Sequence, residues 1–239
     1  MCTVTYIPLS KNNFLLTSNR DETPLRKTIP PRTYYEDGVA ITYPKDALAG
    51  GTWIGVSDKN RVICLLNGAF ETHERKSTYR ISRGVIVKNL LKCEAVESAI
   101  ERFDFEDIEP FTLISVDWQR GLQALEFVWN GKTKHVQHLN ESPKIWSSSP
   151  LYDAEMKEER HSWFRHLINT KENISDRDVL DFHQSGQTNN LKNSIKMKRP
   201  FVETVSTTQI KKEGDEVTIT YFDYLEPSKK GQMKLKAQQ

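Results

Sequence analysis

The sequence has few cysteines: three in 239 residues, Cys2, Cys64 and Cys93, with no Cys-x-x-Cys spacing. That excludes a disulfide framework and a cysteine-based zinc site, and it fits a reducing cytoplasm, the expected location. Histidines number six. His135 and His138 lie three apart and His161 and His166 five apart, but no acidic residue completes a ligand set, so no metal is expected. Long apolar runs are missing, so nothing approaches the roughly 18 residues that cross a membrane. The start lacks the basic region and apolar core of a signal peptide, because Lys11 and Asn12 interrupt it early. Neither sign of charge dominates: 34 Lys and Arg stand against 32 Asp and Glu, a net charge of +2. Nucleic acid is therefore not an expected partner, and the basic stretch Lys192 to Arg199 reads as a solvated loop or helix end. There is no internal repeat and no linker rich in Gly, Ser or Pro. Residues 1–239 read as one domain, with a polar tail fraying from Lys229.

What the chain does contain is β-prone runs in adjacent pairs, followed by clustered helical patterns. Thr3 to Leu9 and Phe14 to Ser18 flank a hairpin loop at Lys11 to Asn13. Pro24, Pro30 and Pro31 exclude regular structure until Gly38. Gly50 to Val56 enters a further strand, Asp58 to Asn60 make a tight turn and Arg61 to Asn67 returns; this last run is apolar almost throughout, so it is predicted to be central. Ser82 caps a helix carrying Val85, Ile86, Leu90 and Leu91, and a second helix covers Ala95 to Phe103. Strands return at Phe111 to Asp117, Gln123 to Trp129 and His135 to His138. A charged helix over Asp153 to Asn169 carries Met156, Trp163, Phe164 and Leu167 on one stripe, and Ser175 begins another helix. Phe201 to Ile210 and Glu216 to Tyr224 close the chain as strands. Paired strands and clustered helices predict an α+β fold rather than a doubly wound sheet.

Chemistry concentrates at the beginning. Removal of Met1 makes Cys2 the N-terminal residue, which then carries a thiol and an α-amine that titrate at about 8.5 and about 8 in unperturbed form. A nucleophile with its own base attached needs no histidine partner. The hairpin brings Asn19-Arg20-Asp21 to the same open end of the ribbon, where Asp21 orients the amine and Arg20 favours the thiolate. Asn67, ending a buried strand, offers an amide to a developing oxyanion. Ser206 and Thr207 are candidates to line a pocket with Asn19. Gly50 and Gly51 read as turn formers, and Cys64 and Cys93 as small buried hydrophobes.

Met1-Cys2-Thr3, Asn19-Arg20-Asp21-Glu22, Gly50-Gly51-Thr52-Trp53-Ile54-Gly55-Val56, Leu66-Asn67, Ser82-Arg83-Gly84 and Ser206-Thr207-Thr208 together resemble the NRDE family, also called the transport and Golgi organisation protein 2 family. The resemblance runs from residue 1 to about 225. More distantly the pattern is similar to cysteine N-terminal-nucleophile hydrolases, the bile salt hydrolases and penicillin V acylases. This resemblance implies a four-layer α-β-β-α sandwich of two antiparallel sheets flanked by helices. It implies Cys2 as nucleophile, its amine as base, Asp21 as orienter of that amine and Asn67 as oxyanion donor. Ser148, within Trp146-Ser147-Ser148-Ser149, stands where those acylases have a second catalytic asparagine, and Ser18 stands where they have an arginine.

The resulting expectation is a hydrolase of non-peptide linear amides working through a thioester, with no cofactor required. The alternative is a non-catalytic carrier of haem or of an acyl-CoA or lipid in the same pocket, with Cys2 as an axial thiolate in the haem case.

Overall fold

The computed structural model describes residues 3–9, 12–186 and 190–237. Cys2, Lys11 and the last two residues of the tail lie outside that set. The chain forms two compact units, and the backbone passes between them after Arg26 and again after Asn140. One unit takes the residues up to Arg26 together with Glu141–Lys236, and the other takes Lys27–Asn140. Composition predicted a single domain because neither crossing point carries a linker.

The first unit is built on a six-stranded antiparallel sheet. Its strands are β1 (Thr3–Pro8), β2 (Phe14–Glu22), β10 (Lys144–Ser147), β11 (Glu203–Glu213), β12 (Glu216–Asp223) and β13 (Gly231–Lys236), in the order β10-β1-β2-β11-β12-β13. β1 and β2 form the expected hairpin, with Thr3 opposite Asn19 and Pro8 opposite Phe14. The segment from 231, expected to fray, instead pairs with β12 as an edge strand. Its alternation of half-buried Met233 and Leu235 with exposed Gln232, Lys234 and Lys236 is a strand pattern that its polarity concealed.

Two helices cover one face of this sheet. In α3 (Ala154–Thr170), Asp153 caps by accepting from the Met156 amide. In α4 (Asp176–Gln184), Ser175 and Asp178 form a reciprocal capping box. The apolar stripes of these helices meet the sheet in a core of Ile7, Leu15, Ile145, Phe164, Val179, Phe182 and Ile195, with Trp163 and Leu167 packed against it. Tyr152 and Met197 form a smaller cluster with Met156 beside them.

The second unit is a seven-stranded antiparallel sheet in simple sequential order. It comprises β3 (Thr28–Glu36), β4 (Val39–Asp46), β5 (Ile54–Ser57), β6 (Arg61–Asn67), β7 (Phe111–Asp117), β8 (Gln123–Trp129) and β9 (Lys134–His138). As predicted, β6 is central, and only its last residue escapes full burial. The prolines do not exclude structure here: Pro30 and Pro31 lie within β3. They are tolerated because β3 is an edge strand whose register with β4 shifts between Ile29 and Arg32, so no ladder bond is demanded of their missing N–H groups. Helix α1 (Arg83–Lys92) buries Ile86, Val87, Leu90 and Leu91. Ser82 takes the N-cap position of α1, although its side chain makes no capping hydrogen bond. Helix α2 (Val96–Arg102) buries Val96 and Ile100. Among the described residues no helix is long and apolar enough to cross a membrane.

Candidate active site

The site grows from the alternation of β2. Successive side chains on a strand point to opposite faces, so Asn19 and Asp21 share one face and Arg20 takes the other. Asn19 and Asp21 bond to groups on the helix-covered side, and both are buried, at 0% and 2% exposure. The Asp21 carboxylate accepts from the Tyr152 hydroxyl at 2.9 Å and from the Thr204 hydroxyl at 2.6 Å. Thr204 lies opposite Asp21 on β11, next to a bulge before Ser206 that re-aims the strand.

Asn19 is held by four hydrogen bonds to three residues. Its amide nitrogen donates to the carbonyls of His183 and Ile195, each at 3.0 Å. Its oxygen accepts from the Thr207 hydroxyl at 2.7 Å and faces His183 Nδ1 at 3.0 Å. The two carbonyl acceptors fix the amide orientation, so His183 Nδ1 carries the proton and Nε2 accepts from the Thr5 hydroxyl at 2.8 Å. Burial pushes the pKa of His183 down to about 3, assisted by the nearby Arg160 cation. The imidazole is thus a neutral tie between β1, β2 and α4. Thr207 also meets the Tyr224 hydroxyl at 2.8 Å, and burial raises the pKa of that phenol to about 12.

Arg20, on the opposite face and 1% exposed, donates to the Arg26 carbonyl at 3.0 Å and lies 3.9 Å from the Glu22 carboxylate. The adjacent pair Arg20 and Asp21 therefore addresses different sides of the sheet. Ser206 pairs across from Arg20, is 1% exposed, and its hydroxyl has no hydrogen-bond partner among the described residues. Ser148 follows the strand residue Ser147, which pairs with Thr3. It is 3% exposed, and its hydroxyl is also without a partner among the described residues. Buried hydroxyls left open in this way are where a ligand or an ordered water completes a site.

In the second unit, Asn67 ends β6 opposite Phe111 and is half-buried. Gly68, which follows it, turns the chain at φ +81°. Gly50 adopts φ +70°, as a turn former does. Gly51 serves close packing instead, because a Cβ there would meet the backbone of Gly84 at 3.0 Å. The Gly-Gly-Thr-Trp and Ser-Arg-Gly segments thus lie backbone to backbone where α1 begins. Cys64 is buried and Cys93 half-buried.

Sequence reading missed the residues that hold this network. Tyr152, Thr204, His183 and Arg160 lie far along the chain from β1 and β2. Arg160 carried a usable signal: it sits four residues before Phe164 and three before Trp163, inside the apolar stripe of α3. It is fully buried and donates to the Thr3 and Ser147 hydroxyls and to the Asn193 and Ser194 carbonyls.

The profile of the transport and Golgi organisation 2 family matches residues 1–226. The chain belongs to that family. No curated protein sequence matches it. Among solved structures, the Caenorhabditis elegans orthologue of N-acylethanolamine-hydrolyzing acid amidase is similar over 87% of this chain and 92% of its own, with TM-score 0.61 and 12% identity. Penicillin V acylase from Agrobacterium tumefaciens is similar over 99% and 86%, with TM-score 0.57 and 12% identity. A variant of the conjugated bile acid hydrolase from Clostridium perfringens is similar over 98% and 92%, with TM-score 0.54 and 11% identity. At such identities the likeness is one of fold: the family member has the α+β fold of the N-terminal-nucleophile hydrolases, built on two antiparallel sheets.

Proposed function

We propose that this family member is an N-terminal-cysteine hydrolase of non-peptide linear amides, working through a thioester. The observation that carries the reading is the Asp21 carboxylate, buried at the end of the hairpin beside the start of β1 and held in place by Tyr152 and Thr204. A carboxylate so fixed is suited to orienting an ammonium group at that end of the strand. Three structural relatives that bear the names of an amidase, an acylase and a hydrolase support the same reaction class.

In this mechanism Met1 is removed and Cys2 becomes the N-terminal residue. Its amine takes the thiol proton, and the sulfur attacks the amide carbonyl. The oxyanion receives a hydrogen bond from Ser148, whose hydroxyl is open among the described residues. Collapse of the intermediate breaks the C–N bond, and the departing amine leaves with the proton held by the Cys2 ammonium. Water, deprotonated by the same amine, then attacks the thioester. The carboxylic acid departs, and the thiol is restored. Asn19 and Thr207 act by holding β2, β11 and α4 in register, while Arg20 and Ser206 lie on the opposite face for substrate contact. A reducing cytoplasm keeps the thiol reduced, and the chemistry calls for no cofactor.

Intact mass establishes whether Met1 is removed, and turnover of an N-acyl amide panel by the wild type and by Cys2→Ser tests the nucleophile. The expected result is loss of Met1, measurable hydrolysis, and a fall of at least about 10³-fold in Cys2→Ser. Retained Met1, or hydrolysis surviving in Cys2→Ser, removes the mechanism. A shifted haem Soret band with no hydrolysis favours a haem carrier in its place.

A further inference from the structure

The basic stretch before β11 has no part in the chemistry proposed above. Residues 190–202 carry Lys192, Lys196, Lys198 and Arg199 and no acidic residue. The inner side of this segment is firmly held. Asn193, Ser194, Ile195 and Met197 are buried. Arg160 donates to the Asn193 and Ser194 carbonyls, and the Asn19 amide donates to the Ile195 carbonyl. The Met197 amide donates to the Thr204 hydroxyl at 3.0 Å, and the Met197 carbonyl accepts from the Thr204 amide at 2.9 Å. The segment is thus a fixed platform, not a solvated tether.

Its outer side carries apolar side chains that nothing covers. The Arg199 amide donates to the Val202 carbonyl at 2.8 Å, and Lys198 bridges to Glu203, so Pro200 and Phe201 form the tip of a tight turn. Phe201 is 84% exposed. The Lys198 amide donates to the Leu191 carbonyl at 2.9 Å, which brings Leu191, 50% exposed, alongside the base of that turn. The cations are gathered in the same place. Arg199 donates to the Lys192 carbonyl at 3.0 Å and to the Met156 sulfur, and Lys196 lies 3.7 Å from the centre of the Tyr224 ring. None of Lys192, Lys196 and Arg199 forms an ion pair among the described residues. Of the nearby carboxylates, Glu203 pairs with Lys198 at 3.3 Å, and Glu159 accepts from the Asn193 amide.

A single exposed leucine needs no explanation. An aromatic ring at a turn tip, with a second apolar side chain and an excess of cations around it, has a physical counterpart in a negatively charged bilayer surface. The ring enters the headgroup boundary, and the long basic side chains stay with the anionic headgroups. Two separate apolar side chains offer far less than the roughly 800 Å² per partner that a stable protein interface covers. We propose that the Pro200–Phe201 turn, with Leu191 and the cations Lys192, Lys198 and Arg199, docks this protein on an anionic lipid bilayer. The surface stands independently of the hydrolase reading.

Sedimentation of the full chain with vesicles tests it. The vesicles are phosphatidylcholine alone or phosphatidylcholine with about 30% phosphatidylserine, each at about 0.05 M and about 0.5 M salt. The expected result is binding to the anionic vesicles that is at least about 10-fold weaker on neutral vesicles and at the higher salt. Phe201→Ser weakens binding about 10-fold to 100-fold, while Phe201→Trp retains it. Lys192→Gln weakens it about 5-fold. Both side chains are exposed, so thermal melts of the variants stay at the wild-type midpoint. Absence of binding to the anionic vesicles, or binding indifferent to Phe201→Ser, overturns the proposal. Polyglutamate that binds with the same dependence on Phe201 also overturns it, and assigns the surface to an acidic protein instead.

Discussion

At the scale of single residues, the alternation of β2 decides what its signature triplet does. Asn19 and Asp21 are drawn into a buried network on the helix side, while Arg20 faces away. The triplet was visible in the sequence, and so was its place near the chain start, because a short hairpin is a local structure. Its partners were not, since the Tyr152 and Thr204 hydroxyls reach Asp21 across 131 and 183 positions. A tyrosine before a helix and a threonine in a β-rich run carry no local mark of such a role. The geometry makes a testable demand. Tyr152→Phe deletes one of two hydroxyl donors to a buried carboxylate while keeping the ring against Arg160. It is expected to cost about 1–3 kcal/mol of stability, read as a lower urea midpoint at unchanged slope. It should also lower kcat more than KM, because a loosened Asp21 disturbs the amine rather than the bound substrate. An unchanged midpoint and unchanged kcat would mean that the bond contributes nothing.

At the scale of elements, the sequence was most legible where hydrophobic period and capping agree. The boundaries of α3 and α4 follow from Asp153 and Ser175, and both residues make the capping bonds their positions suggest. The burial of β6 follows from its unbroken apolar run. Legibility failed at sheet edges, where prolines in β3 and lysines in β13 disguise strands that need to pair on one side only. It was partial at the glycines. Gly50 turns the chain as expected, but the use of Gly51 depends on Gly84, 33 positions on, and close approach of two backbones leaves no local pattern. Gly51→Ala places a Cβ 3.0 Å from the Gly84 backbone, with no flexible side chain to yield. The expected loss is about 1–3 kcal/mol. Gly84→Ala meets the same obstacle from the other side, at 3.0 Å from the Thr52 amide nitrogen. Once either change has pushed the segments apart the second has less to disrupt, so the double variant should lose less than the sum in thermal melts. Strict additivity would show that the two contacts are independent.

At the scale of the whole molecule, His183 links the beginning of the chain to its far end, bonding Thr5 on β1 and Asn19 on β2 from its place in α4. The sequence showed an ordinary histidine near a helix end; only the closing of the sheet over 178 positions buries it. That burial makes global stability depend on acidity. The folded imidazole has its pKa lowered from 6.5 to about 3 by desolvation, with Arg160 adding to the effect. Between those values the unfolded chain binds a proton that the folded chain refuses. The contribution is therefore complete above pH 6.5 and is lost as pH falls, at a rate approaching about 1.4 kcal/mol per pH unit for one proton. The window between about pH 5 and 6 isolates this group from ordinary carboxylates, which titrate near 4. Urea unfolding of the wild type across that window should show stability declining with acid. His183→Gln, which starts less stable because the Thr5 and Asn19 bonds are remade imperfectly, should show a shallower decline. Parallel declines in the two proteins would mean that His183 is protonated in the fold, and the neutral tie between β1, β2 and α4 would have to be abandoned.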